Sequence, residues 1–91
     1  MFYVISYDIP DDARRNKIAK TLLDFGSRVQ YSVFECIMED ESQQEMMKRL
    51  SKIVVEEEDK IRIYALCAKC EVGIAVLGRG EVTKDKEVYV L

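Results

Sequence analysis

The sequence has 91 residues, of which 48% are hydrophobic, and a formal net charge of −3 at neutral pH. A chain of this length holds one small domain, predicted to span residues 1–91, and it has no apolar run near the roughly 20 residues that cross a membrane. Histidine is absent, which excludes imidazole as a general base or a zinc ligand. Any catalysis must therefore use carboxylates, arginines, thiols or a bound metal ion.

The cysteines and the N-terminal residues indicate the cellular compartment, and the charge pattern indicates where acidic and basic surfaces lie. Three cysteines are an odd number and do not suggest the disulfide framework of a secreted protein. Residues 1–8 lack the basic leader of a signal peptide, so we predict a cytoplasmic protein. Residues 32–59 carry nine acidic and three basic groups. The acidity is therefore concentrated in the middle of the chain, and both ends can contribute to a basic surface.

An apolar and aromatic run at the start of the chain, Phe2–Tyr7, predicts a strand buried on both faces. Pro10 cannot donate a ladder hydrogen bond, and it marks a loop after this strand. Asp11 or Asp12 can then cap a helix. The apolar residues that follow recur at helical spacing, which predicts a helix over residues 11–25.

Gly26 stands where this helix is expected to end in the left-handed conformation. Residues 28–38 are rich in β-forming side chains and predict either one long strand or two short strands separated near Tyr31-Ser32. The segment Ser42–Glu45 has the spacing of a capping box, which predicts a second helix over residues 42–56. The apolar stripe of this helix is assigned to the core and consists of Met46, Met47, Leu50, Ile53 and Val54.

The last third of the chain predicts shorter elements. Ile61–Leu66 alternates apolar residues and indicates a strand. Ile74–Leu77 indicates another strand, which Gly78-Arg79-Gly80 interrupts, and Val88–Leu91 is a short apolar tail. The element order is β-α-β(β)-α-β followed by one or two C-terminal strands. This order fits an α+β fold, the ferredoxin-like βαββαβ sandwich.

The predicted sheet is apolar on both faces, whereas helices cover only one of them. Tyr3, Ile5 and Tyr7 share one face of the first strand, while Phe2 and Val4 lie on the other. An apolar sheet face without a helical cover predicts a homodimer packed sheet to sheet. In such a dimer the terminal residues 87–91 can extend the sheet of the partner.

Asp8 is the main candidate for chemistry. It ends an apolar strand and precedes a helix N-terminus, and its carboxylate suits oxygen-bound Mg²⁺ or Mn²⁺ and phosphate chemistry. The alternative is that Asp8 caps the helix or forms a salt bridge in the loop. Because one carboxylate is a poor metal site, a two-fold axis that pairs Asp8 from two chains would be needed to complete it.

The first two turns of the first predicted helix are basic, with Arg14, Arg15, Lys17 and Lys20. Arg15 is expected to lean towards the packed side and the strand end that bears Asp8, whereas Arg14 and Lys17 point outwards. One interpretation is phosphate contact at the helix N-terminus, which Arg28 can join. The other is a solvated charged face.

Phe34 and the pair of cysteines near the C-terminus each allow a structural and a chemical interpretation. Phe34 is expected in the core, although an aromatic residue at a strand end can also stack on a base. Cys67 and Cys70 have the spacing of a redox pair or of half a zinc site. The second pair of ligands that a zinc site needs is missing from the sequence, so a structural or incidental role is the simpler interpretation of this motif.

Several segments together resemble one known family. They are Tyr7-Asp8-Ile9, Asp12-Ala13-Arg14-Arg15-Asn16-Lys17, the string from Gly26 to Glu35 that contains Arg28-Val29-Gln30-Tyr31-Ser32-Val33-Phe34-Glu35, Asp59-Lys60-Ile61-Arg62-Ile63-Tyr64, and Val76-Leu77-Gly78. The family is that of the small CRISPR-associated endonucleases and adaptors that partner the spacer-acquisition integrase. The resemblance spans essentially the whole chain, and the string from Arg28 to Glu35 is its most specific part.

The resemblance implies a ferredoxin-like homodimer of prokaryotic origin that exchanges its C-terminal segments, about residues 78–91. It implies a divalent metal, Mg²⁺ or Mn²⁺, at a pair of Asp8 carboxylates across the interface. It also places Tyr7, Arg15, Arg28 and Phe34 near the site, with Arg14 on the nucleic-acid-binding surface. Lys17 stands where some members of the family carry arginine.

Two functions follow from this resemblance. The first is metal-dependent endonuclease activity on RNA or DNA, with Asp8 as the catalytic and metal-binding residue. The second is a non-catalytic adaptor in spacer acquisition, and hence antiviral defence, that bridges integrase subunits and holds duplex DNA. A toxin-like RNase of the same fold is a further alternative.

Overall fold

The computed structural model describes residues 1–83, which form four strands and three helices. Their bounds are β1 Phe2–Asp8, α1 Asp12–Leu23, β2 Ser27–Gln30, β3 Val33–Ile37, α2 Asp40–Ser51, β4 Lys60–Leu66 and the short α3 Ala68–Glu71. The strands form one sheet in the order β2-β3-β1-β4, and every neighbouring pair is antiparallel. This arrangement confirms the predicted ferredoxin-like α+β fold.

Alternate side chains of the central strand β1 lie on opposite faces of the sheet, and the two faces have different surroundings. Tyr3, Ile5 and Tyr7 are buried on the side of the helices, where they form the core with Phe34 and Cys36 of β3. The same core is completed from the helices by Ile18, Ala19, Leu22, Met46 and Leu50. Because side chains alternate along a strand, Asp8 at the end of β1 lies on the face opposite these helices.

The first helix begins as the sequence predicts. Asp11 is the N-cap of α1, and its side chain accepts a hydrogen bond from the Arg14 backbone N–H at 2.8 Å. This bond satisfies one of the amide groups that a helix N-terminus leaves unpaired.

The second helix differs from its prediction at both ends. It begins at Asp40 with Glu39 as N-cap, and the Gln43 amide already bonds to the Glu39 carbonyl at 3.0 Å, so Ser42 lies inside the first turn and is not the cap. The helix ends at Ser51, and the following turn carries Ile53 and Val54 against the core. Met46 is fully buried, but Met47 is 43% exposed, so the assignment of Met47 to the core was wrong.

The segment after α1 forms two strands and not one. Tyr31-Ser32 is the turn between β2 and β3, and the register shifts between Arg28 and Gln30. The prediction that Gly26 adopts the left-handed conformation was wrong, because positive φ angles within residues 1–83 occur only at Gly78 and Gly80.

Gly26 is required for a steric reason. A Cβ atom at this position would lie 2.3 Å from the Glu35 carbonyl oxygen and 2.4 Å from the Cys36 sulfur. The glycine therefore permits the chain entering β2 to approach the backbone of β3 closely.

The C-terminal part contradicts one prediction and leaves another open. Ile74–Leu77 is not a strand, and Leu77 is 98% exposed. Thr83 reaches the sheet, where its hydroxyl and amide both donate to the Glu35 carboxylate, at 2.7 and 3.1 Å. The predicted apolar tail Val88–Leu91 and most of the exchanged segment lie outside the described residues. None of the helices in residues 1–83 has the length and apolarity to cross a membrane.

Candidate functional site

Asp8 is the exposed last residue of the central strand. Its position pairs with Lys60 of β4, and the two residues share the sheet face opposite α1 and α2. Asp8 does not cap α1, because Asp11 does. Among residues 1–83 the Asp8 carboxylate takes part in no hydrogen bond or ion pair. This carboxylate is therefore available to an external partner.

The donor chemistry of Asp8 fits a hard divalent cation, although one chain does not supply a complete site. Mg²⁺ takes oxygen ligands and is commonly held by one or two carboxylates, with water and substrate phosphate completing its octahedron. The described part of the chain contains no group of three or more Asp, Glu, Cys or His side chains that could hold a metal. The carboxylate of Asp8 is thus a suitable type of ligand for Mg²⁺, and a second Asp8 from another chain would double the number of carboxylates at the site.

The face that bears Asp8 also carries basic residues that sequence reasoning did not single out. Lys60 and Arg62 alternate in β4 with the inward Ile61 and Ile63, and both basic side chains are exposed. Arg62 pairs in register with Ser6, two residues before Asp8. The alternation in β4 was visible in the sequence. What the sequence did not show is that β4 is the neighbour of β1, which sets these cations beside the carboxylate.

Tyr7, Arg28 and Phe34 form one cluster on the other side of the sheet. The Arg28 guanidinium donates to the Tyr7 hydroxyl at 3.3 Å and lies over the Phe34 ring, with its Cζ atom 5.4 Å from the ring centroid. Phe34 is completely buried, so it supports Arg28 from within the core and does not present a ring for stacking on a base. The structure therefore brings these three predicted residues together beneath the strand end of Asp8.

Tyr31 is an exposed aromatic residue that sequence reasoning placed only within a strand or at the break between two strands. It is 93% exposed, and its backbone carbonyl accepts a hydrogen bond from the Tyr7 hydroxyl at 3.4 Å. The Tyr7 amide in turn donates to the Ser32 carbonyl at 3.1 Å. These bonds hold the β2–β3 turn at the same end of the sheet as Asp8.

The two adjacent arginines of α1 have different partners. Arg15 donates to the Ile9 carbonyl at 3.0 Å and also pairs with Asp12, which places it next to the end of β1 as predicted. Arg14 was expected to point outwards. Instead its side chain is 22% exposed and bonds to Asp59 at 2.9 and 3.0 Å and to Glu58 at 2.6 Å.

The ion pair between Arg14 and Asp59 ties the start of β4 to α1. The Asp59 side chain is inaccessible to solvent and also accepts from the Val55 amide at 2.9 Å. The Arg14 hydrogen bond holds the pKa of Asp59 below its usual range, with the Val55 amide contributing in the same direction. The same bond to Asp59 raises the pKa of Arg14 above its usual value. The Arg14 guanidinium is thus already engaged within its own chain, and its contact with nucleic acid stays a prediction.

We predict that Asp59→Asn lowers the melting temperature by several degrees at pH 7 and that this difference shrinks in acid. A carboxyl group with a lowered pKa in the folded state contributes stability above its ordinary pKa of about 4. That contribution is lost as the pH falls through the lower folded pKa. Thermal unfolding from pH 7 to pH 3 measures the difference. Glu58→Gln removes an exposed partner of the same arginine, and we expect a much smaller effect from it. A constant difference across this range would contradict the assignment.

The fold and the site together define a small ferredoxin-like protein with an exposed carboxylate at a strand end, flanked by basic side chains. The profile of the CRISPR associated protein Cas2 family matches residues 1–73. The chain therefore belongs to the Cas2 family, as its sequence motifs predict.

Individual relatives support the same assignment. The chain is 43% identical, over the full length of both proteins, to the CRISPR-associated endoribonuclease Cas2 1 of Chloroflexus aurantiacus. Its fold matches the crystal structure of Cas2 from Streptococcus pyogenes with a TM-score of 0.76 and 32% identity, over 86% of this chain and all of that one. It also matches a chain in a partial Cas6-RT-Cas1–Cas2 complex with a TM-score of 0.73 and 28% identity, over 84% of this chain and 89% of that one.

Proposed function

We propose that this chain acts in CRISPR adaptation, in the cytoplasm of a prokaryote, as a nucleic-acid-binding homodimer with metal-dependent endonuclease activity. The observation that carries the proposal is the exposed carboxylate of Asp8 at the end of the central strand, which has no partner within residues 1–83. The family of the chain also supports the proposed activity, since a relative that matches the full chain is named an endoribonuclease. RNA and DNA are both candidate substrates.

The homodimer is proposed from the sheet face that α1 and α2 leave uncovered. Val4, Ile37 and Leu66 are half-buried on this face, and Tyr64 is 48% exposed. An apolar sheet face of this kind suits an isologous contact with a second copy, because a two-fold axis presents the same residues from both chains. Asp8 lies at the end of the same face, so the axis can pair the two carboxylates.

Each side chain then has a distinct task in phosphodiester hydrolysis. Asp8 of each protomer would hold the divalent cation. A bound Mg²⁺ or Mn²⁺ would polarise the phosphate and favour the ionised form of a water nucleophile. Lys60 and Arg62 bind neighbouring phosphates and keep the backbone of the nucleic acid beside Asp8. Arg15, fixed by the Ile9 carbonyl, offsets negative charge that develops on the phosphate.

Arg28 supports the same end of the sheet from the side of the core. The Tyr7 hydroxyl and the Phe34 ring restrict its guanidinium, which lowers the entropy cost of presenting this cation to a phosphate. The nearby Tyr31 ring offers an exposed aromatic surface on which an unpaired base can stack. Both contacts are proposals that extend the nucleic-acid surface from Asp8 towards the β2–β3 turn.

An adaptor role is the second candidate, and one observation favours it specifically. The fold matches a chain of a partial Cas6-RT-Cas1–Cas2 complex. We propose that the corresponding partner of this chain is the spacer-acquisition integrase. In this role the homodimer would hold duplex DNA and bridge integrase subunits, and the Asp8 carboxylate would be dispensable.

A nuclease assay on the purified full-length chain tests the proposed activity. Labelled single-stranded RNA, single-stranded DNA and duplex DNA are incubated with Mg²⁺, with Mn²⁺ or with excess chelator. We expect cleavage of at least one substrate with either metal and none with the chelator. Cleavage that persists in the chelator, or no cleavage of any substrate by a correctly folded protein, would overturn the endonuclease proposal.

We predict that Arg62→Gln weakens binding of nucleic acid at low salt without abolishing the metal dependence of cleavage. Each lost phosphate contact should reduce the slope of log affinity against log salt by roughly 0.7 to 0.9. Fluorescence anisotropy over a salt series measures this slope. Lys52→Gln removes an exposed cation after α2, away from the Asp8 face, and serves as the matched control. Equal slopes for the two variants would remove Arg62 from the proposed phosphate surface.

A further inference from the structure

Cys67 and Cys70 are not used by the proposed nuclease or adaptor function. They lie directly after β4, and both are exposed free thiols. The remaining cysteine, Cys36, is buried in the core. The chain therefore has two accessible thiols that are close in sequence, together with one inaccessible thiol that can serve as an internal reference.

The backbone sets these two thiols one helical turn apart. Cys67 is the N-cap of α3, with extended φ and ψ angles of −72° and 167°, and its carbonyl accepts the Glu71 amide at 2.9 Å. Cys70 lies three residues later in the same turn. Side chains at this spacing have Cβ atoms about 5–6 Å apart, and a disulfide needs about 3.5–4.5 Å. A small adjustment within an exposed turn is enough to close the bond.

The same turn makes the two thiols chemically unequal. The neighbouring Cys70 amide and then the Cys70 thiol favour the charged form of Cys67 and so lower the pKa of Cys67. The Cys67 sulfur beside it in turn raises the pKa of Cys70. Cys67 is therefore the better nucleophile and Cys70 the resolving thiol, which is the division of roles that a reactive dithiol requires. In contrast, burial raises the pKa of Cys36 to about 11.

We propose that Cys67 and Cys70 form a reversible redox dithiol that reacts with low-molecular-weight disulfides. The Cys67 thiolate attacks one sulfur of the external disulfide, forms a mixed disulfide and releases one small thiolate. Cys70 then loses its proton and attacks the Cys67 sulfur, which releases the second small thiolate. The two protein thiols are oxidised to an intramolecular disulfide, and the external disulfide is reduced to two thiols. This site is independent of Asp8.

Mass spectrometry of the intact full-length protein after incubation with oxidised glutathione tests the proposal. We expect the wild type to lose two hydrogens without a lasting adduct, with Cys36 unmodified. Cys70→Ser should stop at one glutathione adduct on Cys67, whereas Cys67→Ser should react more slowly. In the reduced protein, alkylation at pH 7 should modify Cys67 faster than Cys70, because the thiol with the lower pKa has the larger thiolate fraction.

Three results would overturn this inference. One is equal alkylation of Cys67 and Cys70. Another is accumulation of glutathione adducts on both thiols of the wild type with no internal disulfide. The third is a tightly held zinc ion in the purified protein that protects both thiols, since that would make the pair half of a shared tetrahedral site. Both variants change exposed positions, so the fold is not at risk.

Discussion

Asp8→Asn is expected to reduce divalent-dependent cleavage by about a hundredfold or more, because Lewis-acid stabilisation by a metal ion contributes several kcal/mol to phosphoryl chemistry. Asparagine keeps the size of the side chain but lacks the negative charge that holds a divalent cation. The position is exposed, and within residues 1–83 its carboxylate has no hydrogen-bond or ion-pair partner, so we expect an unchanged melting temperature. Cleavage rates at saturating Mg²⁺, together with thermal unfolding, measure both outcomes.

Asp40→Asn is the matched control for this experiment. Asp40 is exposed in the first turn of α2 and lies near Met1, at the opposite end of β1 from Asp8. It should retain full cleavage. If Asp8→Asn cleaves as fast as Asp40→Asn, Asp8 does not hold the catalytic metal. Spacer acquisition by the same two variants in cells then separates the enzyme from the adaptor, since normal acquisition with Asp8→Asn means that the biological task does not need the carboxylate.

Gly26→Ala is expected to destabilise the fold by roughly 3 kcal/mol, at the upper end of the range for overpacking, and so to lower the melting temperature by about 12–24 °C. The added methyl group would lie 2.3 Å from the Glu35 carbonyl oxygen and 2.8 Å from Cys36 Cα. Both atoms belong to the backbone of β3 and cannot rotate away. Relief therefore requires the start of β2 to move away from β3.

Gly73→Ala provides the comparison, because among residues 1–83 a methyl group there would meet only the Cys70 carbonyl oxygen, at 3.3 Å. We expect its stability to stay within about 1 kcal/mol of the wild type. Thermal and urea unfolding at equal protein concentration measure both variants. Similar stabilities for the two alanine variants would show that a methyl group at Gly26 does not clash with the backbone of β3.

The order of the elements from β1 to β4 was predictable because local patterns determine it, whereas α3 was not predicted. The apolar run of β1 and the capping Asp11 each act over a few residues, and the structure has both where they were expected. The ends of α2 were not predictable from Ser42, because the helix already begins at Asp40 and Ser42 is within its first turn. Gly26 shows the same limit: its role depends on how closely β3 packs, and no local pattern encodes that distance.

The candidate site was predictable in part for the same reason. Asp8 was identified from its place after an apolar strand, which is a local property. The basic pair Lys60 and Arg62 was missed because its closeness to Asp8 depends on the pairing of β1 with β4. The outward direction predicted for Arg14 failed because its partner Asp59 lies 45 residues away in sequence. Tertiary pairing decided each of these positions.

A titration of the full-length protein with Mn²⁺, by calorimetry and electron paramagnetic resonance, tests the central claim most directly. If two Asp8 carboxylates share one ion across a two-fold axis, the wild type should bind one Mn²⁺ per two chains, on a particle with the mass of a dimer. Asp8→Asn should bind none at that site while remaining a dimer. Binding of one ion per chain, or binding that Asp8→Asn retains, would contradict the shared carboxylate site.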